Sequence, residues 1–150
     1  TVAPVAAACG VGDLVEERTG RIPYLEGQAL LRAADVVLVV GSDDPGYSAS
    51  KVYPCVMSGR PVLAVMHGAS AAAEVVRRCR AGDVVTFDPA DAPADLAARV
   101  ADAAARLLAR PAGAPADTDW AAFEPYTARE MTRRQCAAFD RGARAEGNPR

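Results

Sequence analysis

The sequence predicts an α/β fold, a parallel sheet with flanking helices, on three observations. Asp35-Val-Val-Leu-Val-Val and Pro61-Val-Leu-Ala-Val-Met are short apolar runs of the kind expected in strands buried on both faces. Between them a polar loop rich in glycine and proline leads into a helical stretch from Ser48, which closes at Gly59-Arg-Pro. Two parallel strands joined by a helix imply a right-handed βαβ unit. A third run, Asp83-Val-Val-Thr-Phe-Asp, follows another helical segment and continues the alternation.

The remaining elements follow in order. Val2 to Cys9 is alanine-rich and helical in character, and Gly10 ends it. Asp13-Leu-Val-Glu-Glu reads as a short edge strand, and Pro23 is set to open the next helix. Tyr24 to Ala34 carries Leu25, Ala29, Leu30 and Ala33 at helical spacing, a face expected to pack on the sheet. Ala69 to Arg80 is a helix with Ala72, Val75, Val76 and Cys79 inward, stopped by Gly82. Arg77, Arg78 and Arg80 complement its carboxyl end. A long helix opens near Asp91 and runs to about Arg110, with Leu96, Val100, Ala103, Leu107 and Leu108 inward.

Residues 1–110 thus form one domain, and 111–119 is a Pro/Ala/Gly/Asp linker. Residues 120–144 supply an aromatic cluster (Trp120, Phe123, Tyr126) and a last helix that packs back, and 145–150 should fray. Thr127-Ala-Arg-Glu has the pattern of a capping box. An α/β sheet usually opens on a buried strand, and none precedes the first helix. The expectation is therefore that part of the domain was lost or belongs to a longer chain.

Bulk properties narrow the class. A chain of 150 residues has room for one α/β core. A net charge of −2 and a pI near 5.4 provide no electrostatic reason to bind nucleic acid. No apolar run approaches the ~20 residues that span a bilayer, and no secretory signal pattern is visible. Cys9, Cys55, Cys79 and Cys136 form no C-x-x-C pair and are joined by one histidine, His67, so no metal site is expected. They read as reduced, mostly buried thiols in a cytoplasmic protein.

Open parallel sheets bind ligands beyond the carboxyl ends of their strands, which directs attention to Gly41 to Lys51. Ser48, Ser50 and Lys51 stand where a helix begins. Free N–H groups, hydroxyls and an ammonium there suit a phosphate. The Gly-Lys-Ser/Thr ending of a P-loop is absent, and the plainer reading is a serine cap beside a solvated lysine. Asp43 and Asp44 suit sugar hydroxyls or a divalent ion, or equally an Asx-type turn, since Asp-Asp-Pro-Gly is good turn chemistry. His67 follows the second strand and is read as polar filler at the same edge.

Arg21-Ile-Pro-Tyr, the stretch from Ala34 through Tyr53, and Ser58-Gly-Arg-Pro-Val-Leu-Ala-Val together resemble the C-terminal half of GT-B glycosyltransferases of the family-4 type. The resemblance covers nearly the whole chain. It implies a Rossmann-like nucleotide-sugar-binding domain, partial because two further βα units and an acceptor domain precede this stretch in the family. Ile22 would lie near the nucleobase, Ser48, Ser50 and Lys51 near ribose and diphosphate, and Asp43 and Asp44 near the donor sugar. A nucleotide diphosphate-sugar would be the donor, with no further cofactor, and the acceptor domain would be a partner in the same or another chain. The family's paired glutamates fall here on Gly46 and Pro54, neither of which offers a side-chain acceptor for ribose. The resemblance identifies no catalytic residue in this stretch. The other reading is a non-catalytic module that binds nucleotide or another protein.

Overall fold

The computed structural model describes residues 1–146. Three parallel strands, β1 (Val37–Val40), β2 (Val62–His67) and β3 (Gly82–Phe87), lie side by side in chain order. Val37 pairs with Val62, and Val62 with Gly82, so the three strands start level. Connections of this kind need crossover helices, supplied by α3 (Val52–Met57) and α4 (Ala71–Arg78). The chain is α/β with a Rossmann-like arrangement of sheet and helices.

One face of the sheet is fully covered. Val37, Val39, Val62, Ala64 and Met66 pack there against Val52, Cys55 and Val56 of α3, Val75 and Val76 of α4, and Cys79 just after it. On the other face α5 (Pro93–Leu108) places Ala103 and Leu107 on Leu63, Val65 and Val85. Arg106 reinforces this contact by pairing with Asp83 at 2.9 Å. α5 covers β2 and β3 but not β1, so Leu38 and Val40 remain 58% and 61% exposed. The expectation of a first strand buried on both faces is corrected for that reason. β3 is also only partly buried, and Leu108 points outward at the end of its helix.

Other boundaries shift for local reasons. Asp13 to Glu17 forms no strand: Gly12–Leu14 is a 3₁₀ turn followed by extended chain. Glu17 accepts the Val2 and Ala3 N–H groups and ties that chain to α1 (Ala3–Ala8). In α2 (Tyr24–Ala33), Leu25, Ala29, Leu30 and Ala33 are exposed, and Leu31 and Ala34 are the residues that reach the core. α4 is closed by Arg80 in the left-handed conformation, φ 51°, and Gly82 belongs to β3.

The segment 111–119 runs along the amino ends of the strands. Gly113 N–H donates to the Asp35 carboxylate at 2.7 Å, Ala116 N–H to the Gly59 carbonyl at 2.8 Å, and Asp119 N–H to the Cys79 carbonyl at 2.7 Å. Those acceptors precede β1, β2 and β3 in turn. α6 (Trp120–Phe123) then buries Phe123 in the main core. α7 (Ala128–Glu146) starts at Thr127, whose Oγ1 accepts the Glu130 N–H at 3.2 Å. The reciprocal half of the capping box does not form, because the Glu130 carboxylate pairs with Arg133 and Arg134. From Met131 to Gly142 nearly every residue of α7 is exposed. Of the expected frayed tail, residues 145 and 146 are helical and 147–150 lie outside the described residues.

Candidate functional site

β1 delivers the chain to the carboxyl edge of the sheet, and Gly41 carries the pairing one residue further by donating to the Val65 carbonyl at 2.8 Å. A β-carbon on Gly41 would meet the Met66 sulfur at 2.9 Å, so glycine is what lets the loop leave the sheet here. The following turn is held by its own acids. Asp44 Oδ1 accepts the Gly46 N–H at 2.8 Å, and its carbonyl accepts the Tyr47 N–H at 3.0 Å. Ser42 Oγ donates to Asp43 at 3.2 Å. This is the Asx-type turn, with both carboxylates exposed.

The serines do not cap α3. Lys51 occupies the position before the helix, and no side chain accepts a bond there. Val52 N–H already donates to the Ala49 carbonyl at 2.9 Å, Tyr53 N–H contacts the Ser50 carbonyl at 3.4 Å, and Pro54 has no N–H. A helix of six residues with its first donors spent is a poor anion site in itself.

Three of the candidate residues divide between two hollows. Ser48 lines a small one of about 150 Å³, between the loop after β1 and the Ala69–Ala72 segment. Ile22 and Lys51 line the other, an apolar groove of about 570 Å³ between α2 and α3. Its walls are Pro23, Tyr24, Leu30 and Leu31 on one side and Pro54 and Cys55 on the other. Asp43, Asp44 and Ser50 line neither hollow. Burial pushes the Cys55 thiol up, with the Lys51 charge opposing it, so Cys55 stands at the groove as a protonated thiol.

His67 ends β2 at the same edge. Its Nδ1 accepts the Ala69 N–H at 3.1 Å, its ring packs edge-on against Phe87 at 6.1 Å, and Nε2 lies 3.8 Å from an Asp88 oxygen. Among the described residues no group of three or more His, Cys, Asp or Glu side chains is positioned to hold a metal ion. No described helix is long and apolar enough to cross a membrane.

The groove walls were hidden in the sequence because Leu30 read as part of a sheet-packing stripe. The Pro-Tyr start and the Leu30-Leu31 doublet of α2 were the available signal. No protein-family model matches the chain, and no curated protein or solved structure matches it significantly.

Proposed function

We propose that the chain is the latter part of the donor-binding half of a GT-B glycosyltransferase, in a cytoplasmic setting. In this reading the full enzyme transfers a sugar from a nucleotide diphosphate-sugar to an acceptor held by another domain. The observation that supports it is the meeting of Ile22 and Lys51 on one groove. Apolar walls suit the face of a nucleobase, and an ammonium at the rim suits the phosphates that follow it. The volume falls within the ~300–1,000 Å³ usual for small-molecule sites. A diphosphate leaving group needs fixed positive charge, which Lys51 would contribute. With Gly46 and Pro54 where the family has glutamates, and with Ser48 and Ser50 outside this groove, ribose contacts would fall to backbone groups. This chain alone is expected to give no transferase turnover, because catalysis in such enzymes needs two domains closing over the donor.

The test is titration with uridine, guanosine and adenosine diphosphates by calorimetry. Saturable binding to one of them, weakened about tenfold or more in Lys51→Ala and in Ile22→Ser, is the expected result. No binding to any of the three sinks the donor-site reading.

A second reading rests on a different observation. β1 is an edge strand whose Leu38 and Val40 face solvent, and such edges invite association. A non-catalytic interaction module would show no nucleotide binding and a sedimentation coefficient that rises with concentration.

A further inference from the structure

A third cavity lies at the opposite end of the sheet from the Lys51 groove. It measures about 550 Å³ and opens at the amino ends of β2 and β3, where Pro61, Gly82 and Asp83 meet Arg77, Arg80 and Arg110. Its charges do not cancel. Asp83 is held by Arg106 at 2.9 Å and Asp117 by Arg110 at 3.2 Å. Among the described residues, Arg77 and Arg80 form no ion pair.

Arg110 and Arg80 differ in how far the protein itself engages them. Arg110 donates through its terminal nitrogens to Asp117 and to the Pro115 carbonyl, while its Nε is closed off from solvent and bonds nothing in the protein. Arg80 occupies the left-handed position that closes α4, with Ala81 N–H on the Val76 carbonyl and Arg80 N–H on the Arg77 carbonyl, both at 3.0 Å. Glycine is the usual residue there because a β-carbon is strained in that conformation. Basic residues at a helix end offset its dipole, which accounts for Arg77 and Arg78. That effect does not explain an arginine in glycine's place.

We propose that this cavity binds a small phosphate-bearing anion. Arg77 and Arg80 supply the two uncompensated charges that hold it. Guanidinium forks match phosphate oxygens in pairs and stay charged at any working pH. The site shares no residue with the Lys51 groove, so it stands or falls independently of the donor reading.

Calorimetric titration of the full chain with inorganic pyrophosphate at low salt tests it. Saturable binding is expected, weakened at least tenfold in both Arg77→Ala and Arg80→Gly and unchanged in Lys51→Ala. Arg80→Gly is also expected to raise the melting temperature by relieving the left-handed strain, so that its loss of affinity is not a loss of fold. Absence of saturable binding, or affinity that survives both arginine substitutions, overturns the proposal.

Discussion

Gly82 lies so close to Val62 that a β-carbon built on it would sit 2.0 Å from the Val62 carbonyl oxygen. The backbone there has φ +153°, and the two residues are register partners in the parallel pairing of β2 and β3. Gly82→Ala therefore has to push β2 and β3 apart or abandon the first rung of their ladder. The expected loss is about 3 kcal/mol or more, the range of severe backbone and overpacking lesions. Urea denaturation followed by circular dichroism measures it, and an unchanged midpoint would contradict so tight a contact.

Phe123 and Trp120 sit three residues apart and meet edge to face at 6.1 Å, yet their burial differs greatly. Phe123 is 2% exposed and Trp120 51%. Phe123→Ala should cost about 3–5 kcal/mol, the range for emptying a buried aromatic site. Trp120→Ala should cost less than about 1 kcal/mol. Equal effects in thermal melts would mean that the aromatic segment is not anchored through Phe123.

Glu130 accepts bonds from Arg133 at 2.7 Å and from Arg134 at 3.0 Å. These hold its carboxyl at about 2, below the ordinary value of 4.5. A lowered value in the folded chain means that the carboxylate stabilises the start of α7 in full above about 4.5. That contribution fades as pH falls toward 2. NMR titration of the Glu130 carboxyl carbon should give a midpoint near 2, and Glu130→Gln should remove this part of the acid response of α7. A midpoint at the ordinary value would show that the arginine bonds do not persist in solution.

What was legible in the sequence was whatever depends on local pattern. β-branched runs bounded by glycine, proline and aspartate marked all three strands, and Ala72, Val75, Val76 and Cys79 marked the inner face of α4. What was not legible depends on neighbours distant along the chain. Val36 to Val40 reads the same whether or not a helix covers its second face, so the exposure of Leu38 and Val40 left no trace in the pattern. The bonds from Gly113, Ala116 and Asp119 to the strand entries were equally invisible, because a Pro/Ala/Gly/Asp stretch looks alike lying free or lashed down. At the candidate site, residue types were readable but groupings were not. Ile22 and Lys51 share a groove, while Ser48, three residues from Lys51, faces a different hollow.

The bond from Ala69 N–H to His67 Nδ1 fixes more than a ring orientation. While uncharged, an imidazole that accepts at one nitrogen carries its proton on the other, so Nε2 is a donor. Whatever molecule bonds to His67 Nε2 at the crest of the sheet must bring a lone pair to it. A hydroxyl or a phosphoryl oxygen satisfies that demand, and an ammonium group does not.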